Sequence, residues 1–333
     1  MSNQLDQLKN FTTVSADTAD FSLMKELQPE DATTNPSLIS IASQLPSYAH
    51  FMDEAIAFAK AHHEAYSNDL AGSNEDLILE LAFSKLTVMF GVEILKIIPG
   101  RVSAEIDPKC SFDTEMMIQK GKLLIRLFED ASIPRNRVYV KIPATWEGIR
   151  AAEALEGLGI NCNLTLIFSF AQAVACAQAG VSLISPFVGR ILDWHTKNYP
   201  EKVGQFVGAE DPGVVSVRNI YDYYKQYGYS TIVMGASFRN EGEILELAGC
   251  DKLTISTNLL KKLTLSNEPV PRKLDPSCPH TKMEKMSELT KACFLYLHNE
   301  DAMAVEKLAE GIRNFAKDTE KVYDFMRKKL NGA

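Results

Sequence analysis

Short β-type segments alternate with longer helical segments along all 333 residues of this chain. The β-type segments lie at residues 12–18, 31–37, 101–107, 137–143, 161–167, 183–189, 231–237 and 252–258. Between them, apolar residues recur at the three-to-four spacing of an amphipathic helix. Alternation sustained this long, with no change of composition to mark a domain boundary, favours a closed parallel barrel over an open sheet. We therefore predict the α/β class and a single (β/α)8 TIM barrel spanning residues 1–333.

Four further segments complete the prediction. Val217 and its apolar neighbours predict a helix, with Ser216 as the N-cap. Residues 196–213 are predicted to form a long polar loop, and the proline-rich residues 265–283 an irregular connection. Apolar residues repeat along residues 301–330, which predicts a C-terminal helix with one buried stripe. That helix could pack on the barrel wall or cover the barrel mouth.

Composition excludes several classes of function. The chain is 46% apolar and 23% charged, as in a globular protein, and its net charge of −8 argues against general binding to nucleic acid or anionic membranes. The six cysteines show no C-x-x-C spacing, so neither a zinc site nor a disulfide framework is expected. No secretory or transit pattern is found at the N-terminus, so we expect a cytoplasmic protein.

Polar residues interrupt the predicted strands at positions that face inward. Strands of a parallel barrel are covered on both faces, so polar residues are expected mainly at the C-terminal mouth. Because side chains alternate across a strand, one face of each segment can be assigned to the barrel interior. The inward set is Asp17, Thr33, Asn35, Ser103, Glu105, Asp107, Lys141, Asn163, Thr165, Ser185 and Phe187. So many buried polar groups are hard to explain by stability alone.

Each of these residues also has a purely structural interpretation. Lys141 and Glu105 could form a buried ion pair, and Asp17 could cap a helix. Asn163 and Thr165 could bind only backbone groups. These alternatives weaken when the residues are considered together, because one interior would hold all of them.

Two arginines follow the ends of adjacent strands. Arg190 and Arg239 lie in short glycine-bearing turns, and Ser237 could add a hydroxyl group. Barrel enzymes often bind phosphate after their last strands, and guanidinium groups suit a phosphate dianion. The alternative is that each arginine pairs with a surface acid such as Asp193 or Glu241. The two together favour an anion site.

A buried lysine among acids suits cleavage of a carbon–carbon bond beside a ketone. The electrons released need either a metal or a protonated imine as their sink. The histidines lie in helices or loops without metal-binding spacing, so we expect no metal. In the imine route Lys141 is the nucleophile and Glu105 shuttles protons through a water held by Thr165. Asp17 would be the base for the substrate hydroxyl.

Several ordered motifs resemble the transaldolase family. They are DATTNPSLI at 31–39, KIPATWEGI at 141–149, INCNLTLIFSFAQA at 160–173, SPFVGRILDW at 185–194 and GASFRN at 235–240, with AEDPGV at 209–214 and LAEGIRNFA at 308–316. The resemblance covers roughly residues 5 to 330 and is far more specific than a single short pattern. Ala104, Ala19 and Pro143 depart from the usual family pattern at positions that carry no transferred role.

The resemblance implies a cofactor-free transferase of the pentose phosphate pathway. Its implied substrates are sedoheptulose 7-phosphate and fructose 6-phosphate as donors, with glyceraldehyde 3-phosphate and erythrose 4-phosphate as acceptors. It implies catalytic roles for Lys141, Glu105, Asp17 and Thr165; substrate binding by Thr33, Asn35, Asn163, Ser185 and Phe187; phosphate binding by Arg190, Ser237 and Arg239; and a possible homodimer. A class I aldolase that releases dihydroxyacetone, or a non-catalytic sugar-phosphate-binding barrel, stays open as an alternative.

Overall fold

All of the predicted β-type segments form strands in the computed structural model, which describes residues 2–18, 21–69 and 73–330. The strands of this described part are β1 (Thr13–Asp17), β2 (Asp31–Thr33), β3 (Val102–Glu105), β4 (Val138–Pro143), β5 (Cys162–Ile167), β6 (Leu183–Pro186), β7 (Ile232–Gly235) and β8 (Lys252–Ser256). Each pairs in parallel with its neighbours, and β8 pairs with β1, so the sheet closes in the order of the sequence. The predicted (β/α)8 barrel is confirmed.

Helices surround the barrel and connect its strands. The α-helices of the described residues are α1 (Gln4–Leu8), α2 (Phe21–Leu27), α3 (Pro36–Ala42), α4 (Ala49–His62), α5 (Asn74–Leu95), α6 (Thr114–Asp130), α7 (Trp146–Gly157), α8 (Phe170–Gln178), α9 (Gly189–Asn198), α10 (Pro212–Gln226), α11 (Glu241–Glu246), α12 (Thr257–Leu265), α13 (Lys291–Glu300) and α14 (Ala302–Leu330). Short 3₁₀ segments lie at His63–Asp69, Pro108–Cys110, Arg135–Arg137, Pro200–Gln205 and Gly208–Glu210. Across the parts of the chain described, no helix is long and apolar enough to cross a membrane.

Strand register brings the inward polar residues into neighbouring positions. On β4, Val138, Val140 and Ile142 are fully buried, as expected for strands covered on both faces. Lys141 alternates with them and is paired in register with Glu105 on β3 and with Asn163 on β5. Asp17 on β1 is likewise paired with Thr33 on β2. The split into inward and outward residues therefore holds for these strands.

The C-terminal helix α14 lies across the mouth of the barrel. Strand β5 loses its register after Leu164, and Leu166 has a left-handed φ of 58°. The side chain of Leu166 packs against α14 at Gly311, where an added Cβ would approach Leu166 Cδ2 to 2.6 Å. Leu166 belongs to a second apolar cluster, whose other buried members are Phe168, Phe187, Ile191, Ala236, Met303, Ala304, Leu308, Ile312 and Phe315. The first half of α14 thus covers the barrel mouth, whereas its second half packs on the helix layer, with Tyr323 against Phe83 of α5.

Two details of the predicted secondary structure were wrong. The helix that carries Val217 begins at Pro212, and its N-cap is Asp211 rather than Ser216. Proline has no backbone donor to lose at the first helical position, which explains the earlier start. The predicted loop 196–213 is also shorter, because its first residues belong to α9 and two 3₁₀ segments occupy much of the rest. Residues 266–290 contain no helix or strand, so the irregular connection is confirmed.

Candidate active site

Lys141 lies buried in the middle of the barrel, where it contacts an acid from the neighbouring strand. Its Nζ is 3.0 Å from Oε2 of Glu105, and both side chains are nearly inaccessible to solvent. The same Nζ donates a hydrogen bond of 3.2 Å to the carbonyl oxygen of Thr34. The nitrogen lies over the Phe315 ring, 5.9 Å from the ring centroid. The amine is therefore held by one carboxylate, one carbonyl and one aromatic ring.

Glu105 has an unusual environment for a carboxyl group. Burial raises its pKa, and the nearby Lys141 opposes that rise. Its Oε1 has no hydrogen-bond partner among the described residues. A buried acceptor without a partner is costly unless a water or a proton satisfies it. Glu105 is thus suited to exchange protons with the lysine or with a bound water.

Asp17 brings a second carboxyl group to the same space from β1. Its Oδ1 accepts a 3.0 Å hydrogen bond from Thr33 Oγ1, and Thr33 in turn shares a 2.7 Å hydrogen bond with Thr254. The carboxyl faces the barrel cavity, but the surrounding protein desolvates it. This burial raises the pKa of Asp17, while Lys141 and the Thr33 hydrogen bond act in the opposite direction.

A polar chain crosses the other side of the interior. Ser185 Oγ donates to Asn163 Oδ1 at 2.7 Å, and Asn163 Nδ2 donates to Ser103 Oγ at 3.0 Å. Thr165 Oγ1 is buried and has no partner in the described chain. A free hydroxyl in this position can donate to a bound water or substrate.

These groups surround a cavity of about 170 Å³ at the barrel mouth. Its lining consists of Asp17, Thr33, Asn35, Ser37, Leu38, Lys141, Thr165, Ser185, Phe187, Arg190, Ala236, Ser237, Thr254 and Phe315. Nine of the predicted site residues are therefore brought together in one cavity. Of the other three, Glu105 contacts Lys141 and Asn163 contacts Ser185, whereas Arg239 does not line the cavity.

The two arginines have different environments. Arg190 lies between two aromatic rings. Its guanidinium carbon is 5.0 Å from the centroid of the Phe187 ring and 5.4 Å from that of the Phe315 ring. Burial lowers the pKa of Arg190, and the neighbouring charge of Arg239 adds to this effect. Arg239 instead pairs with Asp193, at 2.6 Å between Nη2 and Oδ2. The alternative of a surface ion pair therefore describes Arg239 and not Arg190.

Ser237 lies between these arginines in the loop that follows β7. Its φ of 60° is left-handed, which is uncommon for a residue other than glycine and often marks a functional turn. The Ser237 carbonyl accepts a hydrogen bond of 3.0 Å from the Gly189 amide. The loops after β6 and β7 are thereby joined at one edge of the cavity.

Asp107 does not belong to this cavity, although alternation along β3 predicted an inward position. The strand ends at Glu105, so the alternation no longer applies two residues later. Asp107 caps the 3₁₀ segment Pro108–Cys110 and accepts a 3.0 Å hydrogen bond from Tyr323 on α14. It is a structural contact between the barrel and the terminal helix.

Five cavity residues were missed in the sequence, namely Ser37, Leu38, Ala236, Thr254 and Phe315. Thr254 could have been found, because it is a polar residue within a predicted strand. Phe315 was assigned only to the buried stripe of the terminal helix, and the periodicity of that stripe does not indicate which surface it covers.

The described residues contain no group of three or more histidine, cysteine or acidic side chains that could hold a metal ion. All six cysteines are free, and four of them are buried.

Comparison with known proteins agrees with this geometry. The family model for transaldolase/fructose-6-phosphate aldolase matches residues 14–326. Transaldolase A of Pasteurella multocida (strain Pm70) is 57% identical over 322 residues, which is 97% of this chain and 98% of the relative. Transaldolase of Haemophilus influenzae (strain PittEE) is 56% identical over 330 residues, covering 99% of this chain and the whole relative. Transaldolase of Shewanella amazonensis is 54% identical over the same length and coverage. The chain therefore belongs to the transaldolase family.

Proposed function

We propose that this enzyme transfers a dihydroxyacetone unit from a ketose phosphate to an aldose phosphate through a Schiff base on Lys141. The donor would be sedoheptulose 7-phosphate or fructose 6-phosphate, and the acceptor glyceraldehyde 3-phosphate or erythrose 4-phosphate. The observation that carries the proposal is the buried Lys141 amine, 3.0 Å from Glu105 and within the same cavity as Asp17. A pair of buried carboxyl groups around one amine suits the proton transfers of imine chemistry.

Schiff-base formation comes first. The amine of Lys141 attacks the substrate ketone after giving a proton to Glu105, whose raised pKa makes it an adequate acceptor. The resulting carbinolamine loses its hydroxyl group as water, with the proton returned by Glu105. A water bound to the free hydroxyl of Thr165 would connect Glu105 to the reacting carbon. The product is a protonated imine.

Cleavage of the carbon–carbon bond follows. Asp17 removes the proton from the hydroxyl on the carbon beyond the bond to be broken. That oxygen forms an aldehyde, and the bonding electrons move to the imine nitrogen and leave an enamine. The aldose phosphate departs, and Asp17 holds the proton. When an acceptor aldehyde enters, the enamine carbon attacks it and Asp17 protonates the new alkoxide, after which water hydrolyses the imine and frees Lys141.

The other cavity residues would position the sugar. Asn35, Asn163, Thr33 and Ser185 offer hydrogen bonds to its hydroxyl groups, and Phe187 provides an apolar wall. This positioning matters because the reacting atoms must be aligned for transfer rather than loss of the unit.

Phosphate would bind at the edge formed by Arg190, Ser237 and Arg239. Arg190 lies in the cavity wall and makes no ion pair with any residue in the described ranges. Arg239 would bind phosphate by exchanging the Asp193 carboxylate for two phosphate oxygens, which can accept from the guanidinium group in the same bidentate way.

Borohydride trapping tests the proposal. Incubation with fructose 6-phosphate and borohydride is expected to leave a stable reduced adduct on the peptide that contains Lys141. Lys141→Met, which keeps a side chain of similar length without the amine, is the matched control and should lose both adduct and turnover. Active enzyme that forms no adduct on this peptide would reject the Schiff base.

The acceptor dependence separates transfer from simple cleavage. Fructose 6-phosphate is expected to yield glyceraldehyde 3-phosphate at an appreciable rate only when an acceptor aldehyde such as erythrose 4-phosphate is present. Equal rates with and without acceptor, together with free dihydroxyacetone, would indicate a class I aldolase instead.

We propose one functional domain over residues 1–333, with no cofactor and with a homodimer as the working form. A cytoplasmic location agrees with the free cysteines, since a reducing compartment keeps thiols unpaired. Gel filtration with light scattering would test the dimer.

A further inference from the structure

The loop after β7, which carries Ser237 and Arg239, is held in place by a buried glutamate. Glu243 Oε2 accepts a 2.6 Å hydrogen bond from the backbone amide of Arg239. Asn240 caps α11 by accepting from the Glu243 amide at 3.0 Å, so the glutamate side chain folds back over the turn. Glu243 is only 2% exposed, and its Oε1 accepts no hydrogen bond from any donor among the residues described.

A second buried carboxyl group meets Glu243 from the start of α10. Asp211 caps this helix by accepting from the Gly213 amide at 2.8 Å and the Val214 amide at 3.3 Å. Its carboxyl group lies beside that of Glu243, and it too is only 2% exposed. Two buried ionised carboxylates side by side repel each other, and a single proton shared between them removes that repulsion.

Both sides of the pair are connected to the phosphate edge of the cavity. Gly213 packs so closely on the backbone that precedes Arg190 that an added Cβ would lie 2.2 Å from the Val188 carbonyl oxygen. On the other side, Glu243 holds the Arg239 amide. The carboxyl pair therefore joins the segment behind Arg190 to the loop that carries Arg239.

The charged groups around the pair do not neutralise it directly. His195 on α9 acts on Asp211 through space, and Arg239 acts on Glu243 while its guanidinium group is paired with Asp193. On α10, Arg218 donates to the Ala209 carbonyl. On α12, Lys262 pairs with Glu241 rather than with the buried pair. Burial raises the pKa of Asp211 and raises that of Glu243 to about 7.

We propose that Asp211 and Glu243 share one proton and act as positioning residues for phosphate binding, with neutral Glu243 donating from Oε1 to Asp211 and accepting from the Arg239 amide. This inference rests on the proposed function. Loss of the proton leaves two anions in contact, and their repulsion separates the loop carrying Arg239 from the segment behind Arg190. Phosphate binding then weakens as the pH rises, without any change at Lys141.

Glu243→Gln tests this proposal, because glutamine has the shape of the neutral acid and cannot ionise. Its amide group can donate to Asp211 while its oxygen accepts from the Arg239 amide. In the wild-type enzyme, KM for fructose 6-phosphate is expected to rise above roughly pH 7, the pKa region of Glu243. In Glu243→Gln this rise in KM should be absent. The substrate phosphate titrates in the same way with both proteins, so it does not produce a difference between their KM profiles.

Two further variants complete the experiment. Glu243→Ala removes the link and is expected to raise KM for fructose 6-phosphate roughly ten-fold at every pH, about the effect of one lost buried hydrogen bond, with little change in kcat. Glu241→Gln is the matched control, since Glu241 lies two residues away and pairs with Lys262. It should reproduce the wild-type pH profile. With unphosphorylated fructose, KM should follow the same pH profile in the wild type and in Glu243→Gln.

An infrared difference spectrum gives a second measurement that does not depend on activity. The wild type minus Glu243→Gln at pH 6 is expected to contain the carbonyl band of a protonated carboxylic acid, and this band should disappear as the pH rises. A wild-type KM profile in Glu243→Gln, a KM raised at all pH values, or no such band would overturn the proposal. Failure of the proposed function would instead appear as the absence of a Lys141 adduct in the wild type.

Discussion

At the scale of single residues, burial changes the acid–base properties of the carboxyl groups around Lys141. Asp17 and Glu105 both have raised pKa values because they are desolvated, and in both cases Lys141 limits the rise. A base with a raised pKa holds a proton more readily at neutral pH, which suits a group that must take and return one in each cycle. The hydrogen bond from Thr33 is the local contact that counteracts desolvation at Asp17.

Thr33→Val should therefore change the pH dependence of catalysis. Without the hydroxyl donor, the pKa of Asp17 rises further and ionised Asp17 becomes scarcer at low pH. The acidic limb of kcat/KM is expected to move to higher pH by up to about one unit, the equivalent of one hydrogen bond to a charged group. Thr254→Val, which removes a partner of Thr33 but no donor to Asp17, should give a smaller shift. An unmoved limb in Thr33→Val would argue against Asp17 as the base.

The two phosphate-edge arginines should also differ in their effects. Arg190→Ala removes a cation from the cavity wall, whereas Arg239→Ala removes one that is paired with Asp193. Both are expected to raise KM for phosphorylated substrates, with Arg190→Ala having the larger effect, because Arg239 must first give up its ion pair. Steady-state kinetics with fructose 6-phosphate and unphosphorylated fructose would measure this. Equal losses on both sugars would contradict a phosphate role.

At the scale of secondary-structure elements, contact between β5 and α14 determines how the cavity is covered. The irregularity in β5 gives Leu166 a left-handed φ and directs its side chain to Gly311. A glycine in the middle of a helix lowers helix propensity, so its presence here is explained by the close approach of Leu166. Phe315, one turn later on α14, then reaches the cavity beside Lys141.

Gly311→Val is expected to displace α14 from the barrel mouth. The Cβ alone would lie 2.6 Å from Leu166, and overpacking of this kind destabilises by about 1–3 kcal/mol. We expect a lower free energy of unfolding, measured by urea denaturation, and a lower kcat/KM. Asn314→Val places the same residue on the exposed face of α14 and should have little effect on either.

Leu166→Ala provides the matching test of this contact. Combined with Gly311→Val, it should restore part of the lost stability, because the smaller side chain makes room for the valine. Additive losses in the double variant would show that the two residues do not interact.

At the scale of the whole molecule, buried acids make stability depend on pH. The pKa of Glu243 is about 7 in the folded protein and close to 4.5 when exposed. Between these values the folded state binds more protons than the unfolded state, so the stability that this group contributes is present below about pH 4.5 and is lost as the pH rises through about 7. Relative to Glu243→Gln, the wild type should therefore lose stability across this window and then remain level. Parallel curves of unfolding free energy against pH for the two proteins would contradict the raised pKa.

The sequence by itself determined the barrel and most of the residues in its cavity. Strand periodicity is a local property, because alternation alone decides which side chains of β4 face inward. Lys141, Asp17 and Thr165 could therefore be assigned to one interior before any contact was known. The prediction failed at Asp107, where the strand had already ended.

Only the tertiary structure decided which distant groups meet. The pairing of Arg239 with Asp193, the position of Phe315 above Lys141 and the contact between Asp211 and Glu243 join segments whose separation no local pattern encodes. Sequence periodicity indicates the face on which a side chain lies, whereas its partner depends on how helices and loops pack in three dimensions. For the same reason, the stripe on α14 was visible in the sequence, but the surface that it covers was not.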